Sequence, residues 1–435
     1  MRHAPKDKDG HPVAVPEVKV KERPDYVTQE REYELITPLF GGGVEPGEAD
    51  PVTTIRATEI RGHLRFWWRA TRGGQFNGNL EKMKEVEDAI FGAASSGDSS
   101  HESSVTIKVT IRNAGQAFSK DRNGRDIYDP QSDYGYTAFA LRPTGERRTD
   151  VPELIRGVRF GLKIGYPKKQ EIKKEKGAVQ INAEKEIEAA LWAWDTFGGI
   201  GARTRRGFGS IRLLSVNGNA VAYPDNSDRA KKQISEKLAE YRDIEEFPDD
   251  VPWVGHFQIY GQEKEPEQVH LDLINLVKKF RQDRGDNKFG RSLWPEADEI
   301  RRLTKSGSPT KSNVSAFPRA YLGLPIMFEF ASEKGRVPKA TLQLRQGTRL
   351  ASPLLLRPYP VGTDKAIGLI VELDGTLGVI EDGLILIERK KPHDVSAVVL
   401  DEQVHEVAPL RGKDHTIDAF FEHIEQLSKK KGKRR

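Results

Sequence analysis

The chain has 435 residues and no cysteine, so disulfide bonds and thiolate metal sites are excluded. Its net charge is +5, but six of its last seven residues are Lys or Arg, so the remainder is near neutral and any anion site must be a local patch. No apolar run reaches membrane-spanning length or resembles a secretory signal, which predicts a cytoplasmic protein without membrane association.

The length predicts two domains. Residues 1–30, rich in Lys, Pro and Asp without periodicity, predict a flexible arm, and regular structure is expected to begin near Tyr33. We predict an N-terminal domain over 31–216, a C-terminal domain over 217–428 and a basic disordered tail over 429–435. The turn signal Asn217-Gly218-Asn219 marks the boundary.

Hydrophobic periodicity gives the order of the N-terminal elements. Strands are predicted at Glu32 to Phe40, Val105 to Ile111, Val158 to Ile164 and before Leu213; helices are predicted from Thr58, from Leu80 to Phe91 and after the cap Asn182. Without the short helix that ends at Phe91, the order is strand, helix, strand, strand, helix, strand. This is the ferredoxin-like arrangement, which RRM-type RNA binders share with many unrelated proteins.

The second half gives a weaker pattern. Strands are predicted at Val254–Tyr260, Leu322–Phe330, Leu342–Leu344, Leu354–Leu356, Ile367–Leu373 and Leu384–Ile387, and helices at Leu271–Arg281 and Ile417–Leu427. Together the two halves predict an α+β protein with two tandem ferredoxin-like domains. Residues 112–150 are expected to form a long insertion or hairpin, and residues 285–318 a long loop that reaches RNA or a partner or is merely solvated.

A glycine-rich basic loop follows the predicted helix after Asn182. It contains five glycines, three arginines and a threonine: Gly198, Gly199, Gly201, Gly207, Gly209, Arg203, Arg205, Arg206 and Thr204. Glycine lets a backbone approach a ligand closely, and guanidinium groups beside open amides suit phosphate. The alternative is a glycine helix stop with solvated arginines.

The loop does not match the mononucleotide and dinucleotide fingerprints, because a helix precedes it, Thr204 replaces the third glycine, and no Lys-Ser or Lys-Thr pair is present. Arg206 to Gly209 fits the first four positions of the RRM strand motif, with Phe208 as the aromatic residue. Ser210 and Leu213 stand where that motif has further aromatics. A stand-alone RRM-like module with Phe208 on an exposed strand therefore remains open.

The helix predicted from Thr58 has one apolar and one cationic face. At 100° per residue, Ile60, Leu64, Trp67 and Thr71 share a face. Beside them runs a stripe of four arginines with no carboxylates opposite them in the pattern: Arg61, Arg65, Arg69 and Arg72. Such a stripe favours an anionic partner, and one ring among Phe66, Trp67 and Trp68 is expected at a surface where bases could stack. The alternative is a solvated face.

Several motifs together resemble the RAMP superfamily of CRISPR effector proteins. They are Ile36 to Gly42, Ile60 to Arg69, Ile90 to Gly92 and Gly198 to Gly209, and later Arg291 to Glu296, Phe317 to Pro325 and Arg349 to Leu354. Within the superfamily, the chain is most similar to subunit one of the type III-B (Cmr) complex. The ends of the chain and the 112–150 insertion depart from the pattern.

The resemblance implies a non-catalytic subunit at the head of a ribonucleoprotein, near the 3′ side of the CRISPR guide RNA, which helps to bind target RNA beside other Cmr subunits. The sequence itself predicts no cofactor and no metal site, because it lacks the fingerprint motifs and ligand clusters. The predicted RNA contacts are Arg56, Arg61, Arg65, Trp67, Trp68, Arg69, Gly198, Gly199, Gly201, Arg203, Thr204, Arg205, Arg206, Gly207 and Phe208.

Catalysis is the competing class. His63 lies among the helix arginines and could act as a general base in RNA cleavage, as in some RAMP nucleases, although no second histidine or tyrosine is spaced to assist it. His393-Asp394 matches a metal phosphohydrolase dipeptide, but no ligand cluster accompanies it.

Overall fold

The computed structural model describes residues 24–41, 53–93, 102–138, 153–174, 177–242, 246–248, 251–285, 291–330, 333–347, 349–375, 377–380 and 382–432. The elements of the first half are β1 (Tyr26–Leu35), β2 (Leu39–Phe40), α1 (Ala57–Arg72), α2 (Leu80–Phe91), β3 (Thr106–Asn113), β4 (Gln116–Phe118), β5 (Leu154–Arg156), β6 (Arg159–Pro167), β7 (Gln170–Lys174), β8 (Gly177–Ile181), α3 (Ala183–Phe197), β9 (Ile211–Val216) and β10 (Asn219–Ala220).

The main sheet of this half is antiparallel, with the strand order β10-β9-β1-β6-β3. Leaving out the short β10, the fourth strand lies beside the first, and the third lies between the first and the second, as in a ferredoxin-like sheet. Helices α1 and α3 pack against one face, where Tyr33, Phe160 and Trp194 are fully buried. The other face carries cross-strand ion pairs, including Lys163 with Glu30 at 2.8 Å.

Asparagine caps begin two of the three α-helices described in the first half, as the sequence predicts for α3. The Asn182 side chain accepts a hydrogen bond from the Lys185 amide at 3.1 Å, and Asn79 accepts one from the Lys82 amide at 2.9 Å at the start of α2. The sequence places the start of α1 at Thr58, with that residue as a candidate cap, and this is wrong. The helix begins at Ala57, with Arg56 in the capping position and no side-chain cap.

The second half contains α4 (Ser227–Tyr241), β11 (Trp253–Lys264), α5 (Pro266–Arg281), α6 (Glu296–Thr304), β12 (Ile326–Phe328), β13 (Ala340–Leu344), β14 (Leu354–Val361), β15 (Lys365–Asp374), β16 (Leu384–Glu388), β17 (Lys391–Val395) and α7 (Thr416–Gly432). An antiparallel sheet with the order β11-β15-β14 is covered by α5, against which α7 packs. A separate four-stranded sheet has the order β12-β13-β16-β17.

The prediction of an α+β protein with antiparallel sheets is confirmed. The hydrophobic core is continuous between the halves. One cluster joins Trp67 and Trp194 of the first half to Leu355, Tyr359 and Leu369 of the second. The two sheets therefore pack around shared apolar side chains, and β14 lies directly beside the end of α3.

Several predicted boundaries are wrong. Strand β1 begins at Tyr26, inside the predicted arm, and α7 continues to Gly432, inside the predicted disordered tail. The predicted 285–318 loop contains α6, whose Glu296, Asp298 and Glu299 accept hydrogen bonds from the segment that follows. Asp298 and Glu296 accept from backbone amides and Glu299 from the Ser315 hydroxyl, so these carboxylates hold that segment against the protein body. Residues 1–23, 139–152, 286–290 and 433–435 lie outside the described residues.

Part of the 112–150 insertion is also packed. Ile127 and Tyr134 are buried in a cluster with Phe208, Leu271 and Ile274, so this segment bridges the two halves. Among the described residues, none of the helices is long and apolar enough to cross a membrane.

Candidate nucleic-acid interface

Helix α1 buries its apolar face as predicted. Ile60 and Leu64 are fully buried, Thr71 is buried, and Trp67 is 3% exposed. Trp68 is also fully buried, and its indole Nε1 donates to Glu186 Oε2 at 2.7 Å. The tryptophan rings that were expected to contact RNA therefore face the core, because α3 covers them. Phe66 is the half-buried ring of this group, and it packs edge-to-face on Trp67.

The arginine stripe of α1 is paired with carboxylates, contrary to the sequence interpretation. Arg65 Nε lies 2.7 Å from Glu87 Oε1, and Arg69 Nη1 lies 2.8 Å from the same oxygen. Arg72 is 3% exposed and pairs with Glu186 at 2.9 Å. These partners come from α2 and α3, so no pattern within α1 reveals them.

Arg61 differs from the other three. It forms no ion pair or hydrogen bond with any residue in the described part of the chain, and its Nε is buried without a partner. Arg56 precedes α1, where its carbonyl accepts the first backbone hydrogen bond of the helix, from Ile60 at 3.2 Å.

The glycines of the loop satisfy packing requirements. Gly209 has φ +59, and a Cβ there would lie 1.9 Å from the Ile200 carbonyl oxygen. Gly207 has φ +82, and a Cβ there would lie 2.7 Å from the His270 ring. Because a side chain would meet backbone or a buried ring at these positions, only glycine fits.

Most of the glycine amides already donate hydrogen bonds within the chain. Gly198 donates to Trp194 and Gly209 to Pro38, both at 2.8 Å, and Gly207 donates to Thr204 at 2.9 Å. Gly201 donates to Glu59 Oε1 at 2.7 Å. The Gly199 carbonyl accepts from the Trp194 indole at 3.3 Å. These four amides are not available to a phosphate. The glycines therefore determine the shape of the loop and do not bind phosphate through these amides.

The loop arginines have no carboxylate partner among the described residues. Arg203 lies over the Phe40 ring at 5.3 Å, and Arg205 lies over Phe66 at 5.9 Å and donates to the Ser352 carbonyl at 2.6 Å. Arg206 Nη1 is buried without a hydrogen-bond partner. Three neighbouring cations are therefore held on one loop without compensation.

Their surroundings disfavour the charged form. Burial lowers the pKa of Arg203 and Arg205 below the ordinary value. Burial, reinforced by the charge of Arg281, lowers the pKa of Arg206 to about 10. All three stay protonated at neutral pH, and a bound anion would relieve their mutual repulsion.

The structure contradicts an RRM-like surface around Phe208. This side chain is fully buried, with its ring centroid 4.7 Å from that of His270 and 5.3 Å from that of Phe40. It belongs to the loop, since β9 begins only at Ile211. The outward face of the main sheet carries ion pairs such as Glu32 with Arg112 at 2.7 Å, where an RRM has stacking rings.

His63 has a structural neighbour. Its Nε2 lies 3.6 Å from Glu59 Oε1, the oxygen that accepts the Gly201 amide. Burial alone would raise the pKa of Glu59, but His63 and the Gly201 amide lower it below its ordinary value. Glu59 therefore stays ionised and ties α1 to the loop.

The dipeptide His393-Asp394 lies on β17. Asp394 pairs with Arg345 at 2.7 Å, and His393 Nε2 lies 3.9 Å from Glu388. No group of three potential metal ligands occurs within the described ranges.

The residue that supports the loop most directly is not among those that the sequence predicts. Arg357 on β14 is 1% exposed and donates to the carbonyls of Trp194, Asp195, Gly198 and Ile211. These groups lie at the C-terminal end of α3 and on both sides of the loop, where a cation complements the helix dipole. Burial lowers its pKa to about 10. A single arginine within the buried strand Leu354–Val361 was the available signal.

Two further contacts from the second half hold the loop. His270 on α5 is fully buried, and its Nε2 lies 2.8 Å from the Arg206 carbonyl oxygen. The Leu356 amide donates to the Arg205 carbonyl at 3.1 Å. The loop of the first half is therefore positioned largely by residues of the second half.

Comparison with known proteins agrees with the predicted resemblance. Residues 32–212 match the model of the RAMP superfamily. The CRISPR system Cmr subunit Cmr1-1 of Pyrococcus furiosus is 28% identical over 198 residues, which cover 45% of this chain and 48% of that protein. Cmr subunit Cmr1-2 of the same organism is 24% identical over 191 residues, which cover 41% of this chain and 91% of that protein. The match thus spans about half the length of the first relative.

Two solved structures align over most of the chain. The crystal structure of apo Cmr1 from Pyrococcus furiosus covers 80% of this chain and 88% of its own, with 21% identity and a TM-score of 0.46. A subunit of the type III-B Cmr-beta complex bound to cognate target RNA covers 86% and 96%, with 12% identity and a TM-score of 0.47. The predicted resemblance to the RAMP superfamily and to subunit one of the Cmr complex is confirmed.

Proposed function

We propose that this chain, whose residues 32–212 match the RAMP superfamily, is a non-catalytic RNA-binding subunit of a type III-B CRISPR effector complex. In this proposal it lies at the head of the complex near the 3′ side of the guide RNA and helps to hold target RNA. Its partners are the guide RNA, target RNA and other Cmr subunits.

The observation that carries the proposal is the set of uncompensated cations on the glycine-rich loop. Arg203, Arg205 and Arg206 are fixed by a packed loop, have no carboxylate partner among the described residues and repel one another. A protein that keeps such a group without internal compensation gains by binding polyanions. Arg61 is a further uncompensated cation on α1, the helix that Glu59 ties to this loop.

The assignment to a type III-B complex is supported by the curated relatives. Both are named as subunits of a CRISPR Cmr system, and they match the chain at 28% and 24% identity. We further infer that the two halves are tandem ferredoxin-like domains that meet near residue 217. In the second half, the order β11-β15-β14 corresponds to the first, third and second strands of that fold, with α5 and α7 as its helices.

A non-catalytic role is favoured over a nuclease by the position of His63. Its described acidic neighbour is Glu59, which is engaged with the loop backbone. Among the residues that the structure describes, no tyrosine or second histidine forms a hydrogen bond with it. General acid-base cleavage needs two groups that face the same phosphate. The isolated protein is expected to cleave neither RNA nor DNA, with or without divalent metal, and RNA turnover that disappears in His63→Ala would contradict this.

The proposal is tested by native purification of the tagged chain, with sequencing of the RNA that accompanies it. Repeat-derived guide RNA together with several partner proteins is the expected result, and a lone protein without RNA would refute the proposal. Ultraviolet crosslinking in the same preparation should label the segment around Arg203 to Arg206. Crosslinks confined to the outward face of the main sheet would favour an RRM-like mode instead.

A further inference from the structure

The hairpin between β16 and β17 has an unusual turn. Glu388 pairs with Lys391 across the hairpin, so Arg389 and Lys390 form a two-residue turn. Both have positive φ, 42° and 68°. Such a turn favours Asn-Gly, because residues with a Cβ are strained in the left-handed region.

The same chain contains the favoured version of this turn. In the hairpin between β9 and β10, Val216 pairs with Asn219, and the turn residues are Asn217 with φ 51° and Gly218 with φ 80°. The two hairpins share loop length and positive φ at both turn positions. Residues held in a strained conformation that the fold does not need are a pointer to function. In the β16–β17 hairpin, both of the strained turn residues are cations.

The charge at this tip is uncompensated. Arg389, Lys390 and Lys391 are exposed and form no ion pair with any residue that the structure describes. The carboxylates described at this end of the sheet are buried or already paired. Glu388 is 8% exposed, and Glu329 pairs with Lys339 at 2.7 Å. Three consecutive cations thus project into solvent.

We propose that the tip formed by residues 389–391 binds the phosphate backbone of single-stranded RNA, as a second contact separate from the glycine-rich loop. The proposal rests on the RNA-binding function for the choice of partner. Three adjacent cations on flexible stems match negative charges that repeat along a strand. Residues 389–391 offer no aromatic ring to read a base and no apolar anchor of the kind that protein interfaces bury. The contact is therefore independent of sequence.

The test replaces the tip by the turn of the other hairpin, in the double variant Arg389→Asn/Lys390→Gly of the full chain. Two lost phosphate contacts should reduce the slope of log affinity against log salt by about 1.4 for a short oligouridylate. If the variant and the wild type bind equally at about 1 M salt, this slope difference weakens binding by the variant roughly 25-fold at about 0.1 M salt. The melting temperature should rise, because the strain at the turn is relieved.

A matched control removes the same charge elsewhere. Lys82→Gln/Lys365→Gln changes two exposed lysines that have no side-chain partner among the described residues, and it should keep the wild-type slope. An equal loss of RNA affinity in this control would show that net charge alone explains the effect, and it would overturn the proposal. A hairpin variant with unchanged RNA affinity would also overturn the proposal. If that variant lost affinity only for polyglutamate, the tip would be assigned to an acidic protein instead.

Failure of the hairpin contact is distinguishable from failure of the proposed function. Wild-type protein that binds oligouridylate normally, with loss in a variant of the loop arginines but none in the hairpin variant, removes only the hairpin contact. Wild-type protein that binds no RNA removes both.

Discussion

The α1 stripe and the glycine-rich loop both present arginines, but among the described residues only the loop leaves all of its arginines without a carboxylate partner. Arg65 and Arg69 share Glu87, and Arg72 pairs with Glu186, so most of the stripe serves to join α1 to its neighbours. Around Arg203, Arg205 and Arg206, the described residues supply rings and carbonyls instead. Arginines that look alike in the sequence therefore have different roles. The difference is whether a residue distant in the sequence places a carboxylate beside them.

The support of the two regions also differs. Helix α1 is held by apolar burial along its length, whereas the loop is held by polar contacts from the second half, chiefly Arg357 and His270. Changes to those contacts should affect the loop, and changes to Glu87 or its partners should affect the helix packing.

Arg357→Ala should destabilise the protein by about 3 to 5 kcal/mol, because it opens a cavity and leaves buried carbonyls at the end of α3 without a donor. Urea unfolding measures the loss. Arg345→Ala is the matched control, since Arg345 forms an exposed ion pair, and it should cost under about 1 kcal/mol. Equal stability of the two variants would show that the Arg357 contacts do not support the loop.

The neutral state of His270 should make stability depend on pH. Burial lowers its pKa to about 4, below the ordinary value of 6.5, so the unfolded state binds more protons between these pH values. Stability should therefore fall as the pH drops from about 6.5 towards 4, by up to about 3 kcal/mol from this group. Comparing urea unfolding of wild type and His270→Gln across this range isolates the contribution, and parallel curves would contradict it.

Arg205→Ala/Arg206→Ala should weaken RNA binding with little change in stability. Loss of two phosphate contacts reduces the salt slope by about 1.4 for single-stranded RNA, and the unfolding free energy should move by less than about 1 kcal/mol. Matched and scrambled RNA should lose affinity equally, because phosphate contacts do not read sequence. Unchanged binding with a large drop in melting temperature would make the loop purely structural.

Arg65→Ala/Arg69→Ala should destabilise the protein without weakening RNA binding. Glu87 is 5% exposed and would lose both cations, so we expect a destabilisation of about 1 to 2 kcal/mol, moderated by the partial exposure of the arginines. The salt slope of RNA binding should stay at the wild-type value. A reduced slope in a stable variant would return these arginines to the RNA interface.

Arg61→Ala should have the smallest effect. Arg61 forms no ion pair among the described residues, so it is the member of the stripe that is open to a phosphate. If it neutralises one phosphate, the substitution should reduce the salt slope by about 0.7. Circular dichroism should show an intact fold. A folded variant with the wild-type slope would remove α1 from the RNA site entirely.

The sequence by itself determined the elements that depend on local pattern. The apolar periodicity of α1, the Asn182 cap of α3 and the alternation in β3 and β6 predicted these segments within a few residues, and their order predicted the first sheet. These signals are local because turn geometry and side-chain period act over a few residues. Helices α4 and α6 were missed, since their few apolar positions lie among many charges.

Tertiary structure alone decided which polar residues are available to a partner. Glu87 lies 22 residues from Arg65 in the sequence, on the next long helix. Arg357 lies in the second half of the chain, whereas the carbonyls that it binds lie in the first half. Trp68 and Phe208 looked like stacking rings because a sequence shows residue type but not what covers it. Burial and charge pairing depend on contacts between distant segments, so only the folded chain separates the loop arginines from those of the helix.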